Sequence, residues 1–206
     1  WFAGLLLVVL ALIWFVPARL DDRIPLKIGP QPDGTILVPT NQLLSPAGFQ
    51  LYFPGRPVDL ALSPDRSLLA VKNMEGILLV RMKDRTILQT LPVPTGGQGF
   101  VGILFAPDGK SIYTTDSEGR IHIARLASDR VLTWDNPLNL PGPVAAEDKT
   151  PGLSPTTPAK NPSSPGGMFL DAVRGELWVT LSRNNALGLI DLKSRSLTQI
   201  PVGMAP

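Results

Sequence analysis

A phrase in this chain returns at a fixed interval. Leu60-Ala-Leu-Ser-Pro-Asp-Arg-Ser-Leu-Leu-Ala-Val71 recurs 43 residues later as Ile103-Leu-Phe-Ala-Pro-Asp-Gly-Lys-Ser-Ile-Tyr-Thr114. A looser copy, Met168-Phe-Leu-Asp-Ala-Val-Arg-Gly-Glu-Leu-Trp-Val179, follows 65 residues after the second. Each copy reads as apolar strand, turn, apolar strand. One such unit cannot bury both faces of its own sheet and is stable only when stacked on like units. A period in the low forties with several short strands per unit predicts an all-β fold, a partial β-propeller of about three four-stranded blades. The 22 prolines and 19 glycines suit short strands joined by tight turns. Three blades do not close a ring, so the expectation is an incomplete ring belonging to a longer protein.

The strands of the first unit are read at 58–62, 68–71, 77–82 and 86–91, and those of the second at 101–105, 111–115, 120–126 and 130–134. In the third they fall at 167–170, 176–180, 186–192 and 196–200. Pro107-Asp108-Gly109 is turn chemistry: proline fixes φ, aspartate bonds back to the backbone, and glycine accepts positive φ. Upstream, strand-like stretches at 35–38 and 49–53 are candidates to seal the ring from the N-terminal side. The blades as a whole are assigned to residues 33–206, with residues 136–167 as an insertion holding eight prolines, read as a mobile loop.

Ahead of the blades, Trp1 to Val16 is a run of sixteen residues without a charge. Residues 1–18 are read as an apolar helix, either a signal peptide cut after Val16-Pro17-Ala18 or a signal anchor that keeps the protein at the membrane. Residues 19–32, with Pro25, Pro30 and Pro32, read as a linker. The expected location is therefore periplasmic or otherwise outside the cytoplasm. Net charge is only +2, and the Arg and Lys residues are scattered along the sequence, which argues against a nucleic-acid partner. No cysteine is present, so disulfides and thiolate metal sites are excluded.

Chemistry is sparse. His122, the single histidine, stands between Ile121 and Ile123 in a strand and has no second histidine or cysteine to build a site. No nucleophile elbow and no phosphate loop occur, so no catalytic motif is assigned. In each blade the turn between the second and third strands (b–c) shares a face with the connection to the next blade, and binding usually lives on such loops. The b–c turns supply Lys72, Asn73 and Glu75, then Asp116 and Glu118, then Arg183, Asn184 and Asn185. Lys72, Glu75, Glu118, Arg183 and Asn185 are the ligand-face candidates; Asn73, Asp116 and Asn184 are hard oxygen donors that could hold a calcium ion, the only cofactor considered. Arg81, Arg125 and Arg183 could bind anions, but as solvated strand or turn ends they need no special role.

Several phrases carry a resemblance. Pro107-Asp-Gly-Lys-Ser-Ile-Tyr-Thr114, Asn184-Asn185 with Leu189-Ile-Asp-Leu192, and Ile200-Pro-Val-Gly203 resemble YVTN-type, YncE-like bacterial β-propeller repeats. Pro32-Asp-Gly-Thr-Ile-Leu-Val-Pro-Thr-Asn-Gln42 and Gly55-Arg-Pro-Val-Asp59 are similar to the start of exported bacterial proteins in which such a propeller precedes an alkaline-phosphatase-like phosphoesterase domain. The resemblance implies an exported or membrane-anchored, non-catalytic scaffold that binds a protein or small molecule, as the N-terminal part of a longer protein. The alternative is a calcium-dependent propeller hydrolase of the lactonase or gluconolactonase type.

Overall fold

Alternating apolar residues in short runs, cut by Pro, Asp and Gly, give this chain strands and almost nothing else. The computed structural model describes residues 27–94, 97–143 and 162–203. The expected apolar helix and most of the linker lie outside these residues. Among the described residues the helical structure is one 3-10 turn, Ser182–Asn184, and no helix is long and apolar enough to cross a membrane.

Residues up to Tyr52 and residues from Phe53 onward form two separate units. In the first, β1 (Gly29–Pro30), β2 (Ile36–Leu37) and β3 (Leu43–Leu44) pair with one another as a small antiparallel sheet. Residues 49–53 were expected as a strand and are not one; Pro46, Pro54, Gly48 and Gly55 crowd the stretch on both sides and leave little extended backbone to pair.

The second unit holds three antiparallel blades. Blade one is β4 (Pro57–Leu62), β5 (Leu68–Asn73), β6 (Gly76–Arg81) and β7 (Thr86–Pro92), paired in that order. Blade two is β8 (Gln98–Phe105), β9 (Ser111–Asp116), β10 (Arg120–Leu126) and β11 (Leu132–Trp134), with β12 (Leu138–Asn139) also paired to β10. Blade three is β13 (Pro165–Asp171), β14 (Glu176–Leu181), β15 (Ala186–Asp191) and β16 (Leu197–Pro201).

Side-chain alternation explains how the blades stack. On β9 and β10, Ile112 and Ala124 join Leu68, Ala70, Ile77 and Leu79 of blade one in one buried cluster. Their neighbours Tyr113, Ile121 and Ile123 join Leu177, Val179, Leu181 and Ile190 of blade three in another. Successive residues of one strand thus serve opposite neighbours, each full burial contributing about 1.5–3 kcal/mol. Blade three has one covered face. Its other face carries Phe169, 66% exposed, with half-buried Trp178, Leu187 and Leu189.

The repeat length returns as hydrogen bonds between equivalent residues of blades one and two. Asp59 Oδ2 accepts from Gly102 N–H (2.7 Å), 43 positions on. Gln89 donates to Leu132 O (2.9 Å) and accepts from Leu132 N–H (2.7 Å), again 43 positions on.

Two expectations are corrected. The innermost strand of blade two begins at Gln98 rather than Val101, and its pairing with β9 is broken by a bulge between Gln98 and Ile103. The insertion is narrower than residues 136–167: Leu138 and Leu140 are buried in the second of those clusters, Leu138–Asn139 is a strand, and β13 already starts at Pro165. Two leucines beside the prolines supply enough apolar area to order that flank. The third repeat lacks Pro-Asp-Gly, yet its hairpin forms, because Asp171 Oδ1 accepts from Val173 N–H (3.0 Å) and Arg174 N–H (3.1 Å).

Gly102 sits in the bulge at φ +94°, and a Cβ there would fall 2.2 Å from Gly166 O and 2.5 Å from Thr115 Oγ1. Gly102→Ala should therefore destabilise the protein by ~2–4 kcal/mol. Gly167→Ala, with nothing within 4 Å of the added carbon, should be nearly neutral; equal urea midpoints for the two variants would refute this reading of the bulge.

Candidate functional site

At one end of the blades each b–c turn is hydrogen-bonded to the segment leading into the innermost strand of its own blade. Met74 N–H donates to Arg56 O (3.2 Å), Ser117 N–H to Gly97 O (2.9 Å), and Arg183 N–H to Ser163 O (3.1 Å). This is the face predicted to bind, and its residues divide into buried ties and exposed tips.

Lys72 was expected on the ligand face, and the structure corrects this: its side chain is completely buried. It lies in phase with Leu68 and Ala70, the residues of β5 that face blade two. Its Nζ donates to Val101 O (2.7 Å), Thr115 O (2.7 Å), Thr115 Oγ1 (3.1 Å) and Gly102 O (3.3 Å). Burial pushes its pKa down to about 8, while Asp59 and Asp116 hold it up. Lys72 is a tie between blades.

Asn73 closes its own blade. Its Oδ1 accepts from Arg56 N–H (2.6 Å) and Met74 N–H (2.9 Å), and its Nδ2 donates to Pro54 O (3.0 Å).

Asp116 anchors the densest polar network. Its Oδ1 accepts from the backbone N–H of Glu118 (2.8 Å) and Arg120 (2.7 Å). Its Oδ2 contacts Arg120 Nη1 (3.1 Å) and His122 Nε2 (3.0 Å). Burial alone would raise the carboxyl's pKa, but the His122 hydrogen bond and the two backbone N–H groups outweigh it, and the group titrates below its ordinary 3.8. The His122 ring stands edge-on to Trp134, 5.5 Å between centroids. Sequence reasoning took His122 as a lone structural residue and missed its partner. The legible signal was Asp116 at the end of one strand and His122 on the next, two positions past Arg120, where that strand begins.

Asn184 Nδ2 donates to Gln199 Oε1 (2.9 Å), Gly142 O (3.2 Å) and Pro141 O (3.3 Å), tying blade three to blade two. The three proposed calcium donors thus belong to three separate hydrogen-bond networks, and among the described residues no three His, Cys, Asp or Glu side chains group to hold a metal. Glu75, Glu118, Arg183 and Asn185 are exposed, with Glu118 paired to Arg120 at 2.9 Å.

Two buried groups beside Asp116 stay unmatched. Among the described residues, both amide atoms of Gln98, which pairs in register with Asp116, and the hydroxyl of Thr114, which pairs with His122, have no hydrogen-bond partner.

No protein-family model matches the chain and no curated protein sequence matches it. Solved structures do. Hydrazine synthase of Kuenenia stuttgartiensis is similar at TM-score 0.50 and 16% identity, over 76% of this chain and 38% of its own. The RRP9 WD40 repeats give TM-score 0.50 and 14% identity, over 74% and 40%. A putative 6-phosphogluconolactonase from Bacteroides fragilis gives TM-score 0.53 and 19% identity, over 77% and 42%. These likenesses are of fold, and the fold is a β-propeller. The chain spans about two-fifths of the length of the structures it matches.

Two predictions follow from the polar network. Asp116 contributes stability as its ionised form, complete above about pH 4 and lost as the pH falls through its lowered folded value. Asp116→Asn should cost ~2–4 kcal/mol at neutral pH and flatten the acid limb of stability measured by urea unfolding. Thr114→Val removes a buried hydroxyl that has no partner and should raise stability by ~1 kcal/mol, seen as a higher urea midpoint at unchanged slope.

Proposed function

We propose that the chain is a YncE-like, YVTN-type propeller module, exported or membrane-anchored through its apolar N-terminal run. In this reading it is a non-catalytic scaffold whose loop face binds a protein or a small molecule. It serves a longer protein in which a phosphoesterase domain carries the chemistry.

The observation that carries the reading is the state of the ionisable groups beneath the loop face. Lys72, Asp116, Arg120 and His122 are each bonded to backbone or to one another. All four are buried, so their bonds are made inside the blades and away from a ligand at the loop face, which favours an architectural role. What the face offers a ligand is its exposed rim of Glu75, Glu118 and Arg183 on rigid turns. The sequence resemblance and the uncharged Trp1 to Val16 run support the remaining parts.

The reading predicts no heat when calcium is titrated into the protein in a calorimeter, and activity only outside the cytoplasm for a reporter fused after residue 206. A calcium affinity that Asp116→Asn abolishes would transfer the assignment to the lactonase-type hydrolase. Cytoplasmic reporter activity would end the export claim.

A further inference from the structure

The opposite end of the blades, formed by the a–b and c–d turns, carries an arrangement the loop-face reading does not use. Arg66, Ser67, Arg81, Met82, Lys83 and Arg130 line an open cleft of about 460 Å³ between blades one and two. Four of the six are cations and none is a carboxylate. Arg81 is paired with Asp84 at 2.6 Å. Arg66, Lys83 and Arg130 have no carboxylate partner among the described residues, and all three are exposed.

Of the acids nearby, Asp84 pairs with Arg81, and Asp65 and Asp108 line an adjoining cavity that shares Ser67 and Arg130 with the cleft. Asp65 holds Ser63 (2.6 Å) and both the N–H (3.0 Å) and hydroxyl (2.8 Å) of Ser67. Asp108 accepts from Lys110 N–H (2.8 Å) and Asp129 from Val131 N–H (3.1 Å). The carboxylates fold the turns and the cations face the cleft.

Two of these arginines stand where the backbone resists them. Arg66 has φ +59° and Arg130 φ +66°, the left-handed region in which an L side chain crowds its own carbonyl. The chain itself shows the relaxed alternative: Gly109, 43 positions after Arg66 in the equivalent turn, has φ +68°. Arg195 takes the place of Arg130 in the next blade, at φ +57°, and donates to Asn136 O (3.3 Å) and Pro137 O (3.1 Å) of the blade before it. Arg130 reaches the equivalent cleft and finds Arg66, Arg81 and Lys83 there instead of carbonyls.

We propose that this cleft binds a phosphate-type oxyanion, with Arg130 and Arg66 as its main donors and Lys83 beside them. Each planar guanidinium can place two N–H groups on two oxygens of one tetrahedral anion. The bound charge relieves the mutual repulsion of the cations that line the cleft. The proposal concerns the turn face and stands independently of the loop-face reading.

The test is titration of the full chain with inorganic phosphate, read from amide chemical shifts, against sodium chloride of equal ionic strength. Saturable shifts confined to the 66–67, 81–83 and 127–131 turns are expected with phosphate and not with chloride. Arg130→Gly should weaken phosphate binding about tenfold, the loss of one charge-assisted contact, and Lys83→Gln should weaken it less. Because glycine suits the left-handed position, Arg130→Gly should hold or raise the melting temperature, so a lost signal would not reflect unfolding. Vesicles of phosphatidylglycerol identify the source of the phosphate: flotation that Arg130→Gly abolishes assigns a lipid headgroup, and its absence alongside saturable phosphate binding assigns a soluble phosphate compound. Shifts that never saturate, or a wild-type affinity in Arg130→Gly, would overturn the proposal.

Discussion

Everything in the second unit depends on how blade two is gripped by blade one. The grip is made of backbone as much as of side chains. Lys72 reaches across to three carbonyls of β8 and β9, and Asp59 holds the Gly102 N–H between them. Those groups lie in a bulge, where the ladder to β9 lapses and main-chain atoms would otherwise be buried without partners. A charged lysine is costly to bury, and here that cost is offset by four oxygen acceptors and two nearby carboxylates. The bulge, the glycine and the lysine therefore form one device, and altering any of them exposes the other two.

The strands were largely legible because burial on both faces leaves a strong mark in sequence: Ile77-Leu-Leu-Val80 has no polar alternation, and the turns on either side carry Asp, Gly and Arg. Hydrogen-bond partners were less legible. Lys72 read as a turn residue because it borders Asn73, although its phase with Leu68 and Ala70 already pointed inward. Gln98 escaped because the bulge breaks the period-two pattern three residues before the recognisable strand. The basic cleft could not be read at all, since Arg66, Lys83 and Arg130 come from three turns of two repeats and only stacking brings them together. Scattered charge along a chain is no guide to clustered charge in space.

The two ends of the blades use polar residues differently. On the loop side, carboxylate, imidazole and ammonium groups point inward and stitch strands together, leaving a rim of solvated side chains. On the turn side, Asp65, Asp108 and Asp129 accept from the backbone of their own turns, Asp84 pairs with Arg81, and Arg66, Lys83 and Arg130 are left outward. A single repeat pattern thus gives one face of structural polarity and, on the other, one cleft lined by cations.

Unequal coverage of the blades has a thermodynamic meaning. In stacked repeats stability is a sum of each unit's own free energy and its coupling to neighbours. Blade two is coupled through both buried clusters, while blades one and three are each coupled through one. Opening β15 and β16 disturbs the cluster around Leu177 and Ile190 but leaves the one around Ile77 and Ile112 intact, whereas opening β9 or β10 breaks both. Opening blade three alone therefore leaves the first cluster standing, and blade two, which serves both clusters, is the last to come apart.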